Sequence, residues 1–149
     1  MAAAAAATLL HAYPYHIESS EQEMARLCLT HSSGGRADGT TMHGLYRGLK
    51  IQGKAVGRVP VPFTGTLADL RANAKEPVIL TMELPIGDAQ TEKYEKRGWG
   101  PGTRHTVVLF RFLPNGKADM GDPETGREQW SEEDLRVLWH GEGIRFVKK

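Results

Sequence analysis

The first ten residues, MAAAAAATLL, place the strongest constraint on the fold. Alanine has the highest intrinsic helix propensity, so a helix is predicted from Ala2 to Tyr13, ending at Pro14 because proline is poorly tolerated in a helix interior. Such a helix carries almost no polar side chain and has no stripe that can face water. The sequence therefore predicts a fold that buries its own N-terminal helix.

The alanine-rich segment does not have the pattern of a secretory leader. No Lys or Arg precedes the alanines, and His11, Tyr13 and Pro14 interrupt the apolar stretch and its cleavage site. No run of residues approaches the roughly 18 apolar residues that a transmembrane helix needs. The single cysteine, Cys28, excludes an intramolecular disulfide and leaves the redox compartment open.

Length and charge narrow the class of protein further. A chain of 149 residues with 40% hydrophobic residues is about the size of one domain, so a single domain over 1–149 is predicted. The 19 basic and 18 acidic residues are spread along the chain, which gives no basic patch for nucleic acid or an anionic membrane. Nucleic acid is therefore not an expected partner.

Helix signals fill the first half of the chain and strand signals dominate the second. Capping residues predict helices after Ser20, after Thr40 or Thr41, after Thr66 with Asp69, and after Ser131 with Asp134. The stretch THSSGGRADG between the first two helices is predicted to be a loop. An edge strand is predicted from Ala55 to Phe63, because prolines cannot donate to a ladder. Two apolar strands are predicted from Pro77 to Leu84 and from His105 to Phe112, and the second of them is expected to form a hairpin with KADMGDP. A last strand is predicted in GIRFVKK. This order is typical of an α+β fold, with N-terminal helices packed on a C-terminal antiparallel sheet.

His105 and Asp122 are the first candidates for chemistry. His105 opens a strongly apolar strand, and Asp122 follows on the next strand of the predicted hairpin. A carboxylate that fixes the tautomer of an imidazole and stabilises its cation makes that imidazole a usable base. The alternative is structural: a histidine that caps a strand edge, and an aspartate that begins a turn before Pro123.

Other reactive residues give weaker signals. Cys28 lies near the end of a predicted helix among leucines, which favours a buried structural thiol over a nucleophile. The six histidines show no metal-ligand spacing with Asp or Glu, so neither a metal nor another cofactor is predicted. Trp99 lies in the glycine-rich part of the long loop from Pro85 to Arg104, where it could line a peptide groove.

Several segments in this order resemble the bacteriocin-processing double-glycine peptidases, a family of papain-like cysteine peptidases. The similar segments in the second half are EPVILTMEL, HTVVLFRF and DMGDPETGREQWSEEDLRVLWHGEGIRF. In the first half they are MAAAAAATLL, SSEQEMARLCLT and GTTMHGLYRGLKIQGKAV. The resemblance covers nearly the whole chain and implies a papain-like fold.

The resemblance also implies roles for individual residues. The family's catalytic histidine falls on His105 and its aspartate, in an Asp-Pro turn, falls on Asp122. The family's cysteine opens the first helix, which places Met1 at the nucleophile position, uncertain by a residue or two. A methionine thioether cannot ionise, and the oxyanion-hole glutamine of the family would precede Met1.

Two hypotheses of function follow from the resemblance. The first is the body of a papain-like peptidase that hydrolyses peptide bonds, inactive as this chain because the N-terminal segment with the nucleophile is expected to lie upstream. The second is a catalytically dead module that binds an extended peptide or a partner protein. In either case the expected partner is a peptide or protein. The domain itself is expected to be soluble, and a membrane or transporter segment of a longer bacterial parent protein could tether it. An unrelated α+β domain remains a third option if His105 and Asp122 are too far apart to bond.

Overall fold

A computed structural model describes residues 2–28, 31–33, 36–87 and 91–149 of the chain. Its helices are α1 (Ala2–His11), α2 (Glu21–Leu27), α3 (Met42–Gly53), α4 (Leu67–Asn73), α5 (Thr91–Glu95) and α6 (Glu132–Leu138). Its strands are β1 (His31–Ser33), β2 (Arg36–Gly39), β3 (Arg58–Thr64), β4 (Val78–Glu83), β5 (Arg104–Phe112), β6 (Ala118–Asp122), β7 (Gly126–Trp130) and β8 (Trp139–Lys148). No helix in these ranges is long and apolar enough to cross a membrane.

The main sheet has six strands in the order β3-β8-β4-β5-β6-β7, and all its neighbouring strands are antiparallel. The central strands β4 and β5 carry the continuous apolar runs, as expected for strands that are covered on both faces. Strand β3 lies at one edge, which suits Pro60 and Pro62 because proline cannot donate to a ladder. The predicted edge strand is therefore confirmed.

The two faces of the sheet belong to two separate apolar cores. Alternate residues of β4 and β5 point to opposite faces, so Ile79 and Val108 pack with the helices α1, α2 and α3. Leu80 and Val107 pack on the other face, together with side chains of α4, α5 and α6. The described structure is thus an antiparallel sheet between two layers of helices, which is the predicted α+β class.

Helix α1 is buried against the centre of the sheet, as its composition requires. Six of its ten residues are buried, and only Thr8 and His11 are exposed. The methyl group of Thr8 lies beside Gly121, and Gly121 pairs with Val108 in the middle of β5. Three residues later, His11 lines the same groove as Arg111, near the C-terminal end of β5. The helix therefore runs in the same direction as β5, and its first turn lies at the end of the sheet where His105 is.

The capping predictions are confirmed and give the helices their start points. Thr66 with Asp69 and Ser131 with Asp134 form reciprocal capping boxes, while Ser20 and Thr41 accept a hydrogen bond from a backbone amide of their helices. Each of these side chains satisfies an amide that has no partner within its helix.

Four predicted details are wrong. The segment expected to be a loop after α2 contains the paired strands β1 and β2. Polar strand β7 was not predicted, and the long loop contains the short helix α5. Helix α1 ends at His11 rather than Tyr13.

Helices α2 and α3 approach closely at Gly48, where there is room only for a hydrogen atom. A methyl group at Gly48 would overlap Sγ of Cys28 and lie 3.1 Å from Cε of Met24. We therefore expect Gly48→Ala to lower the free energy of unfolding by about 1–3 kcal/mol through overpacking, although alanine favours a helix. Urea unfolding followed by circular dichroism measures this loss.

The matched control is a double variant that also removes the Cys28 sulfur, with which the new methyl group would overlap. In the double variant Cys28→Ala/Gly48→Ala the new methyl group occupies the volume that Sγ leaves. We expect this variant to be more stable than Gly48→Ala alone. Losses that simply add would contradict the packing argument.

Candidate active site

The structure brings His105 and Asp122 into direct contact. His105 is the second residue of β5 and Asp122 is the last residue of the neighbouring strand β6. The distance from Nε2 of His105 to Oδ1 of Asp122 is 2.8 Å, and both residues are 7% exposed. The option of an unrelated α+β domain, which required these two groups to lie apart, therefore loses its basis.

Asp122 is ionised and held in place by several donors. Its Oδ1 also accepts a hydrogen bond of 2.8 Å from the backbone amide of Glu124, in the turn that begins at Pro123. Burial by itself would raise the pKa of Asp122, but hydrogen bonds from His105 and from the amides of Glu124 and Thr125 hold that pKa below its usual value. The structural alternative is also realised, because the same carboxylate starts the turn.

The bond to Asp122 determines which nitrogen of His105 can act as a base. An ionised carboxylate only accepts hydrogen bonds, so Nε2 carries the hydrogen that it donates. The lone pair of the neutral ring is then on Nδ1. Nδ1 has no hydrogen-bond partner within the ranges that the structure describes, so it is available to take a proton from another group.

Trp99 packs on the imidazole of His105. The two rings meet edge to face, with centroids 5.2 Å apart and an angle of 84° between their planes. The fully buried Trp130 contacts Trp99 in the same way, at 5.7 Å. The structure therefore places Trp99 against a candidate catalytic side chain; whether it also lines a peptide groove remains a prediction.

A cleft of about 260 Å³ opens beside the pair. His105, Asp122 and Trp99 line it together with Gly98, Gly100 and residues of the turn and of β7. A volume of this size admits a few small residues of an extended chain rather than a large rigid ligand.

Cys28, the single cysteine of the sequence, is not among the residues that line this cleft. Cys28 directly follows the last residue of α2 and is buried against Gly48 of α3. Burial raises the pKa of the Cys28 thiol, which favours the unreactive protonated form. Met1, the predicted nucleophile position, lies outside the described residues, and α1 begins at the residue that follows it.

Sequence reasoning missed a second buried carboxylate near the cleft. Asp134 was predicted only as part of a helix cap, but it also accepts hydrogen bonds of 3.0 Å from the Tyr94 hydroxyl and from Arg97. The capping pattern is the one signal in the sequence that involves Asp134. It identifies Ser131 as a partner of this carboxylate, but not Tyr94 and Arg97, which come from a distant segment. Within the described residues, no group of three or more His, Cys, Asp or Glu could hold a metal ion.

Comparison with solved structures confirms the papain-like fold of the double-glycine peptidase domains. The double glycine motif protease of an AMS/PCAT transporter, solved with its leader peptide, matches with a TM-score of 0.68 at 17% identity, covering 99% of this chain and 84% of that one. The peptidase domain of Streptococcus ComA, a bifunctional ABC transporter in a quorum-sensing pathway, matches with a TM-score of 0.67 at 18% identity, covering 99% and 90%.

A third match is the N-terminal peptidase C39-like domain of the toxin secretion ATP-binding protein from Vibrio parahaemolyticus. Its TM-score is 0.62 at 15% identity, covering 99% of this chain and 96% of that one. No protein-family model matches the sequence, and no curated protein sequence matches it. Identities this low show a shared fold, and the chemistry has to be argued from the residues of this chain.

The lowered pKa of Asp122 predicts how stability depends on pH. A carboxylate with a lowered pKa stabilises the folded chain above its unfolded pKa of about 3.9, and this contribution is lost as the pH falls through the folded value. As the pH falls below about 4, the free energy of unfolding should therefore fall more steeply for the wild type than for Asp122→Asn. Urea unfolding at several pH values measures both slopes.

Glu124→Gln is the control for this experiment. Its side chain is exposed and takes no part in the bond to His105, whereas its backbone amide, which does bind Asp122, is retained. We expect this variant to keep the slope of the wild type. An equal slope in Asp122→Asn and the wild type would show that the pair does not hold the carboxylate in its ionised form.

Proposed function

We propose that this chain carries the acid-base machinery of a papain-like peptidase that hydrolyses peptide bonds. The observation that carries the proposal is the buried 2.8 Å bond between His105 and Asp122, which leaves Nδ1 of His105 without a partner in the described structure. In this assignment His105 is the general base and then the general acid, and Asp122 fixes its orientation and stabilises its cation.

The reaction needs a thiol at the start of α1. Backbone amides and the helix dipole at a helix N-terminus stabilise a thiolate, and an imidazolium beside it lowers the thiol pKa further. The thiolate would attack the carbonyl carbon of the peptide, the carbon–nitrogen bond would break, and the leaving amine would take its proton from His105. Water, deprotonated by His105, would then hydrolyse the thioester and release the acid.

The residues of this chain do not supply that thiol. The thioether of Met1 cannot ionise, and Cys28 is buried between α2 and α3. We therefore expect the chain 1–149 to be unable to form an acyl-thioenzyme, whereas its His105–Asp122 pair is arranged to activate a cysteine placed at the helix start.

Met1→Cys, expressed behind a short N-terminal extension, tests the proposed machinery. We expect iodoacetamide to alkylate the new thiol at pH 6 at least about tenfold faster than an ordinary thiol, because a free cysteine with a pKa near 8.5 is almost fully protonated there. His105→Ala should abolish this advantage, and Asp122→Asn should reduce it. Mass spectrometry of the peptides distinguishes the new thiol from Cys28.

Ala7→Cys is the matched control, since it places a partly buried thiol on the same helix about two turns from its start. Variants Ala2→Cys and Ala3→Cys test the neighbouring registers of the alanine run. If no cysteine at positions 1–3 is alkylated faster than the one at position 7, or if the rate does not depend on His105, the peptidase proposal is wrong.

A second proposed function is the binding of an extended peptide without cleavage. The cleft beside Trp99 supports it, as does the protease of the AMS/PCAT transporter, which was solved in complex with a leader peptide. The matching domains of the AMS/PCAT and ComA transporters also support, within this proposal, a transporter as the parent protein.

Tryptophan fluorescence of the chain as it exists tests peptide binding. Trp99 is half-buried, whereas Trp130 and Trp139 are buried, so a ligand in the cleft should change mainly the emission of Trp99. We expect a saturable change with a peptide that ends in Gly-Gly and a much weaker one with the same peptide ending in Leu-Leu. Trp99→Phe should remove the signal, and no saturable change up to millimolar peptide would contradict this function.

A further inference from the structure

We propose that Asp134, in the first turn of α6, is a positioning residue that holds Trp99 against His105. The structural part of this inference concerns the chain as it stands, and its consequence for catalysis rests on the proposed function. The link runs from Asp134 through Tyr94 to Trp99, and each step is a direct contact between described residues.

The two oxygens of Asp134 have separate partners. Oδ2 accepts a hydrogen bond of 3.0 Å from the backbone amide of Ser131 and so caps α6. Oδ1 accepts from the hydroxyl of Tyr94 and from Nη1 of Arg97, each at 3.0 Å. A helix cap needs only the first oxygen, so the second is free to hold the segment that contains Tyr94 and Arg97.

This arrangement keeps Asp134 charged although it is only 7% exposed. Burial favours a raised pKa, but the hydrogen bonds from Ser131 and Tyr94 and the charge of Arg97 together lower the pKa of Asp134. Burial, followed by the bond to this carboxylate, raises the pKa of Tyr94 to about 12, so the phenol remains a donor at neutral pH.

Tyr94 transmits the position of Asp134 to Trp99. Its ring is fully buried, and its backbone carbonyl accepts a hydrogen bond of 3.1 Å from the amide of Trp99. Trp99 lies between Gly98, which has a φ of +96°, and Gly100. Because glycines impose little backbone preference, contacts rather than local geometry must fix the tryptophan.

The far end of this loop is attached elsewhere. The amide of Gly102 donates a bond of 2.7 Å to the carbonyl of Leu84, and Leu84 forms an isolated bridge with Pro101. These bonds close the base of the loop but do not reach Trp99. On the N-terminal side of the indole, the contacts of Asp134 with Tyr94 and Arg97, hereafter the anchor, tie this segment to α6 through side chains.

A fixed indole has a specific effect on the pair. Packed on the imidazole, it limits the access of water to the bond between His105 and Asp122, and a hydrogen bond that is shielded from water is electrostatically stronger. Release of the loop should therefore expose His105 and loosen its orientation without altering either member of the pair.

Tyr94→Phe tests the anchor because it removes only the hydroxyl that donates to Oδ1. Arg97→Gln removes the second donor together with its charge and its contact with the Tyr94 ring. Ser131→Ala is the matched control: it removes the Ser131 hydroxyl and weakens the helix cap, but it leaves the Ser131 amide and the bonds to Oδ1 in place. Two measurements on the chain as it exists are compared: acrylamide quenching of tryptophan fluorescence, and the rate at which diethyl pyrocarbonate modifies His105, followed by peptide mass spectrometry.

We expect Tyr94→Phe to raise the modification rate of His105 about fivefold, the change in local opening that follows the loss of one buried hydrogen bond. Quenching should increase in parallel, and Arg97→Gln should have a smaller effect because its side chain is more exposed. Ser131→Ala should leave both values at those of the wild type. Unchanged values in Tyr94→Phe, or an equal rise in Ser131→Ala, would overturn the proposal.

A final measurement links the anchor to chemistry. In the Met1→Cys background, Tyr94→Phe should lower the rate of alkylation at pH 6, and Ser131→Ala should not. Because quenching and histidine modification need no added cysteine, they still test the anchor if the new thiol is not activated. An activated thiol that is insensitive to Tyr94→Phe would instead remove the catalytic consequence and leave the peptidase proposal intact.

Discussion

The structure depends above all on the burial of helix α1. Most side chains of this helix are alanine and leucine, whose burial is favourable, so the sheet covers one side of the helix and α2 and α3 cover much of the rest; only Thr8 and His11 are exposed. Small alanine side chains allow the sheet and the helices to approach closely. The same packing aligns α1 with β5 and brings the start of the helix to the end of the sheet that holds His105. The burial of the apolar side chains of α1 thus determines where the start of the helix lies relative to His105, and the proposed chemistry depends on that position.

Buried charges around the sheet are stable because each has several donors. Asp122 accepts hydrogen bonds from an imidazole and from turn amides, Asp134 from a phenol, a guanidinium and a cap amide, and Asp119 from Arg127 and Arg111. Ionised side chains that lose water remain charged only when such partners replace it. At Asp134 two of the partners, Tyr94 and Arg97, come from a distant part of the chain, so this carboxylate also fixes the position of their segment relative to α6.

The features that the sequence predicts correctly are those with a local cause. Capping pairs, the proline-bearing edge strand and the apolar strands β4 and β5 are set by neighbouring residues, and so is the hairpin that brings Asp122 beside His105. Strand β7 was missed because GREQW is mostly polar, as an edge strand with one exposed side is allowed to be. The contact between Tyr94 and Asp134 joins residues 40 positions apart, and no local pattern encodes it.

Peptide cleavage and peptide binding require nearly the same site in this fold. As we propose them, both use the cleft beside Trp99, and only cleavage needs an ionisable sulfur at the start of α1. A buried His–Asp pair, however, gives little to a site that only binds an extended chain, because two side chains that are shielded from solvent and bonded to each other present few groups to a ligand. The cost of burying Asp122 is offset by bonds that also leave Nδ1 of His105 without a hydrogen-bond partner among the described residues. We therefore propose proton transfer, in addition to the structural role of Asp122 in its turn, as the function that this arrangement supports better than peptide binding alone.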